Sequence, residues 1–180
     1  VGHCESGKTN ACVNLVQEYV KHDSFSRIFL MCPSIESNGP IFSTLPIAQE
    51  DVFTNRDTVI RDLDDIMRRI RQDMEDWNEV NGYYESYHRV LRGDGDAHDE
   101  ALVKAMNYME PNEPGPRPCP LIILDDLSHT AIYSPSRENP MINLALRHRH
   151  IHNCGATILT LNQTFRSGIQ LAWRQNISVF

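Results

Sequence analysis

Apolar positions behind residue 8 recur at three-to-four spacing. In "KTNACVNLVQEYVKHD" the residues Ala11, Val13, Leu15, Val16, Tyr19 and Val20 predict a helix packed on a sheet. "RIFLMCP" then reads as a short buried strand stopped by Pro33, and "SIESNGP" as a loop. From Asp57 the pattern turns strongly helical, with Val59, Ile60, Leu63, Ile66, Met67, Ile70, Met74 and Trp77 on one face and Asp and Arg on the other. Asp57 or Thr58 is placed to cap that helix and Gly82 to break it. Two weaker helical stretches follow, around Tyr83–Leu91 and Ala97–Met109, so that residues 57–110 read as a helical insert.

"PNEPGPRPCP" (residues 111–120) holds five prolines in ten residues, which neither a helix nor a central strand tolerates, and is therefore a connector. It leads into "LIILDD", an apolar run ending in two carboxylates. A helix near Asn139–His152 closed by Asn153 to Gly155, a buried strand in "ATILTLNQ" and a short helix near Ser167–Trp173 complete the series. Strands alternating with helices predict a single α/β domain over residues 1–180, with a mostly parallel sheet and right-handed crossovers.

Composition narrows the class. The chain is 41% hydrophobic and 23% charged, in the range of soluble globular proteins. It has no run near the roughly 18 apolar residues of a membrane span. Cys4, Cys12, Cys32, Cys119 and Cys154 never form a C-x-x-C pair, which argues against a disulfide framework or zinc ribbon and for a reducing intracellular compartment. Residues 57–110 hold fourteen acids and seven bases and so account for the whole net charge of −7. From Leu127 onward Arg137, Arg147, Arg149, Arg166 and Arg174 face only Glu138, so any anionic partner is expected to meet the protein on that third or through segments beyond this sequence.

The chemistry begins at "VGHCESGKTN". Gly2 to Thr9 fit G-x-x-x-x-G-K-[ST], a loop whose backbone N–H groups wrap a phosphate chain at the positive end of the following helix. Gly2, Glu5, Ser6, Gly7, Lys8, Thr9 and Asn10 are the expected ATP-binding residues. Lys8 is assigned to the β- and γ-phosphates and Thr9 to Mg²⁺. Such a loop is launched from a buried strand, of which Val1 alone is present, and "NISVF" resembles a last strand cut short; the chain reads as a fragment truncated in its first and last strands.

At the carboxyl end of "LIILDD", Asp125 is the candidate for Mg²⁺ and Asp126 for polarising the attacking water. The plainer alternative is a carboxylate pair capping the next helix. Gln163 ends the following strand where an amide orients water beside a γ-phosphate, with Asn162 as the competing choice. In "RHRHIHNC", His148 and His152 share a helix face while His150 points away, so a solvated basic helix end is favoured over a metal site.

Gly2–Thr9, "LIILDDL" and "NQTFRSGIQLAWRQNISVF" together resemble the FtsK/HerA-type P-loop motor ATPases, in particular the genome-packaging ATPases of large double-stranded DNA viruses and virophages. Gln163, Arg174 and Asn176 match that family's C-terminal pattern, and "RHRH" is similar to a segment its viral members carry. The resemblance implies a RecA-like (ASCE-type) core, working as a homo-oligomeric ring on double-stranded DNA with a capsid or portal partner. It further implies an infected-cell cytoplasm or viral factory as the location, with association to the virion. It also implies an arginine reaching the neighbouring subunit's γ-phosphate, for which Arg147, Arg149, Arg166 and Arg174 are the candidates and Arg174 and Arg166 the preferred ones. The competing readings are a nucleotide kinase, another P-loop motor (a helicase, an AAA+ remodeller or a conjugation or segregation DNA pump) and a non-catalytic nucleotide-binding scaffold.

Overall fold

A computed structural model describes residues 7–134, 139–163 and 171–176. Gly2, Glu5, Ser6 and Arg166 lie outside the described residues. The elements are α1 (Lys8–Val20), β1 (Arg27–Met31), α2 (Ile35–Phe42), β2 (Val52–Phe53), α3 (Val59–Arg92), α4 (Ala97–Ala105), β3 (Pro120–Asp125), α5 (Pro140–Arg147), β4 (Thr157–Leu161) and α6 (Leu171–Arg174), joined in places by short 3₁₀ turns.

The strands form one sheet in the order β2-β1-β3-β4, and every pairing is parallel. Alternation along β1 and β3 divides their side chains between two cores. Phe29, Met31, Ile122 and Leu124 meet Leu63, Ile66 and Ile70 of α3 and Met141, Leu144 and Ala145 of α5 on one face. Ile28, Leu30, Leu121 and Ile123 meet Cys12, Val13 and Val16 of α1 and Phe42 of α2 on the other. The expected α/β class with a parallel sheet is therefore present, as three layers with helices on both faces. No helix among the described residues is long and apolar enough to cross a membrane.

Four local expectations are corrected. "SIESNGP", read as a loop, lies almost wholly in α2, with Pro40 inside the helix. Propensity is overridden there by burial, because Phe42 enters the core and Ile35 and Ile41 pack against it. Gly82 does not end a helix: α3 runs 34 residues to a left-handed Gly93 at φ 79°. A mid-helix glycine costs only about 1 kcal/mol relative to alanine, which 34 residues of continuous helix absorb. β4 is not fully buried, since its five residues are exposed or half-buried at the rim of the sheet. α5 stops at Arg147, and a 3₁₀ segment with non-helical backbone at Ile151 and His152 replaces the expected last turn, so His148 and His152 do not share a helix face.

The stretch expected as an insert divides in two. All the buried apolar residues of α3 lie between Val59 and Met74, where the helix covers the sheet. Beyond Trp77 it pairs with α4 through Arg89, which donates to both oxygens of the capping Asp99 at 2.8 and 2.6 Å. Val80 and Leu91 there are 49% and 65% exposed.

An ion cluster ties α3 to the start of the sheet. Arg27 donates Nε and Nη2 to the two oxygens of Asp51 at 2.7 and 2.8 Å, and Nη1 to Asp73 at 3.0 Å; Arg69 reaches the same Asp51 at 3.0 Å. These bonds hold the Arg27 guanidinium's pKa above its ordinary value, Asp51 being the first cause. Asp51 is 2% exposed, so its removal takes the buried carboxylate from two half-buried guanidinium groups and leaves Arg27 with Asp73 and Arg69 with Asp65. Asp51→Ala is expected to lower unfolding free energy by about 2–3 kcal/mol in urea titrations; a loss below about 0.5 kcal/mol would mean the cluster behaves as an ordinary surface pairing.

Candidate functional site

Gly7 opens α1 in the left-handed region at φ 73°, which glycine adopts without the cost a Cβ would bring. Its carbonyl accepts from the Ala11 N–H at 2.9 Å. Gly7 offers no side-chain cap and no acid sits in the first turn of α1, so none of these residues neutralises the positive end of the dipole. Lys8, Thr9 and Asn10 stand in that turn, with Lys8 and Thr9 half-buried.

The turn lies beside the carboxyl end of β3. Lys8 lowers the pKa of Asp125 by charge, and Asp125 raises that of Cys12 one turn further along α1. Lys8, 117 positions earlier in sequence, is thus near enough for its charge to act on the strand-end carboxylate.

Asp125 pairs with Leu161 of β4 and is 4% exposed. Asn38 Nδ2 and Cys32 Sγ both donate to its Oδ2, at 2.9 and 3.4 Å. Burial pushes its pKa above the usual carboxylate value, Cys32 and Asn38 oppose the shift, and the neighbouring Asp126 adds to it. Cys32 and Cys12 are themselves pushed up to about 12, mainly by burial, so both remain thiols and Cys32 keeps its proton to donate.

At Asp126 the chain leaves the sheet with φ 53°, while its N–H still donates to Leu161 O at 3.2 Å. The Asp126 side chain is half-exposed, and Gln163 Nε2 donates to its Oδ1 at 3.3 Å. Asn162, next to Gln163, is 1% exposed and bonded inward: its Oδ1 accepts from Ser128 Oγ at 3.1 Å and its Nδ2 donates to Thr160 and to Tyr133 Oη. Of the two candidate amides, Gln163 faces Asp126 and Asn162 braces the loop beneath it.

No protein-family model, curated protein or solved structure matches this chain.

The remaining candidates are dispersed. Arg147 and Arg149 are exposed at the turn that feeds β4, by the amino edge of the sheet, and so lie away from Asp125 and Asp126 of their own chain. Arg174 follows Trp173, whose ring packs edge-on against Tyr133 with centroids 6.5 Å apart. Among the described residues no group of three or more His, Cys, Asp and Glu is disposed to hold a metal by itself. Sequence reasoning missed Cys32 and Asn38 beside Asp125. It also missed Arg56, which donates to Ser128 O at 3.2 Å on the loop after Asp126. Asn38 carried one usable signal, a polar amide flanked by Gly39 and Pro40 in a segment held by Ile35, Ile41 and Phe42.

The donor set suits Mg²⁺ with ATP. Asp125 supplies a hard oxygen ligand, and among the described residues both of its donors go to Oδ2 and none to Oδ1. The hydroxyl of Thr9 and the charge of Lys8 stand at the adjoining helix end.

A carboxylate with a raised folded-state pKa carries a penalty at high pH that disappears once it is protonated in both states. In metal-free buffer Asp125→Asn is therefore expected to be more stable than the parent chain at pH 7. That advantage should shrink as pH falls through the ordinary carboxylate range, measured as paired urea midpoints. An advantage constant with pH would rule out burial of this charge as its cause.

Proposed function

We propose that this chain is the ATPase core of an FtsK/HerA-type motor, RecA-like in fold, that moves double-stranded DNA as a homo-oligomeric ring and packages a viral genome into a capsid. The observation that carries the reading is the place of β3. It is paired on both edges, with β1 and with β4. A strand launching the loop before α1 then has no free edge of β3 to join, whereas a nucleotide kinase would set those two strands side by side. β4 is the strand that brings Gln163 onto Asp126, and α1 packs against it.

The chain's own groups divide the work on that reading. The uncapped start of α1 and the Lys8 ammonium bind the phosphates and draw charge from them as it develops. Bound Mg²⁺, held by Thr9 and Asp125, would neutralise phosphate charge. Asp126 accepts a hydrogen bond from the attacking water and Gln163 fixes the direction of that carboxylate. Arg174 and Arg166 are the proposed contributors to a neighbouring subunit, and the acidic α3–α4 hairpin is kept off the DNA by charge repulsion.

The test is phosphate release from ATP by the intact protein with and without duplex DNA. Turnover is expected to rise several-fold with DNA, and Lys8→Ala and Asp126→Asn are each expected to lower it at least about 100-fold, the scale of losing a charge-stabilising or proton-handling group. Release indifferent to DNA would remove the translocating motor, and phosphate moved onto an added nucleoside monophosphate would replace it with a kinase.

A further inference from the structure

α2 is assembled against local preference. Within eight residues it contains Ser37, Asn38, Gly39 and Pro40, all poor interior helix formers, and the residue before it has no capping hydrogen bond from its side chain. Its first turn is held instead by Ser34: the Ser34 carbonyl accepts from the Ser37 N–H, the Asn38 N–H and the Ser37 hydroxyl. Ile35, Ile41 and Phe42 then anchor the helix to the core beside α1. Where burial forces a helix on such a sequence, the residue that disobeys local preference is the one to interrogate.

That residue is Asn38. Its Nδ2 lies 2.9 Å from Asp125 Oδ2 and 3.4 Å from Ser34 Oγ, and Ser34 in turn lies 3.6 Å from Cys32 Sγ, the second donor to Oδ2. Residues 32 to 38 therefore form a bracket around one oxygen of a buried carboxylate, with one donor from α2 and the other from the segment between β1 and α2. We propose that Asn38 is a positioning residue, which fixes the Asp125 carboxylate so that Oδ1, the oxygen without a donor among the described residues, is presented to the metal of a bound Mg²⁺–ATP. This rests on the nucleotide-site reading above and adds a residue from outside both sequence motifs.

The role separates from simple support of the fold because it concerns metal coupling rather than nucleotide affinity as such. Binding of a fluorescent non-hydrolysable ATP analogue to the intact protein is measured in Mg²⁺ and in EDTA. For Asn38→Leu, affinity in EDTA should stay within about twofold of the parent while affinity in Mg²⁺ weakens about tenfold, the usual scale for losing a group that orients a metal ligand. In an Asp125→Asn background the same substitution should have no further effect, because the carboxylate it orients is gone. Asn38→Ser, whose hydroxyl is too short to reach Asp125 across the same gap, should repeat the loss and serves if the leucine variant fails to fold. An unchanged Mg²⁺ advantage in either variant, or parallel losses in Mg²⁺ and EDTA, would overturn the positioning role and leave the nucleotide site standing. No binding of the analogue by the parent protein would remove the site and the role together.

Discussion

Six consecutive buried residues in β3, flanked by hydrogen-bonded neighbours on both edges, leave that strand almost no freedom of register. A slip of one residue would exchange its two faces and push Leu121 and Ile123 into the core made for Ile122 and Leu124. Helices on both faces take their positions from the same strand. The place where β3 ends is therefore set by the packing of the whole domain, and that place is Asp125.

The same packing makes the carboxylate costly. A hydrophobic strand end is a poor environment for charge, and the two donors from residues 32 and 38 only partly offset the loss of water. Such a group contributes little to folding, because the cost of its burial offsets what its two hydrogen bonds supply. Next to it, Asp126 escapes that cost by leaving the sheet in a left-handed turn and staying half-exposed. Two adjacent aspartates thus experience opposite surroundings, which suits them to different tasks.

Much of this was legible in the residues. Short apolar runs bounded by Pro or Gly gave away β1, β3 and β4, and the 3.6-residue period exposed α1 and the core half of α3. The carboxylate pair was legible because two charges closing an all-apolar run sit at the border of a core that excludes charge, where a ligand can repay their cost. α2 was hidden, because "SNGP" spells a turn and only tertiary burial of Ile35, Ile41 and Phe42 makes it helical. Asn162 and Gln163 could not be separated by composition. The loop that leaves β4 separates them, sending one inward to Ser128 and Tyr133 and the other out to Asp126. Asn38 was illegible as a neighbour of Asp125 because the contact spans 87 positions and depends on a helix that local preference denies.

The unbroken course of α3 through Gly82 has a mechanical consequence. One end of this helix is gripped by the sheet and α5, while the other, with α4 attached, extends past the last buried apolar residue, Met74. Its outer 18 residues span about 27 Å at 1.5 Å per residue. A tilt of about 5° at the root would carry the tip through about 2 Å on that lever arm. A rigid tilt imposed from the α3-facing side of the sheet would thereby be enlarged at the far end of an acidic hairpin.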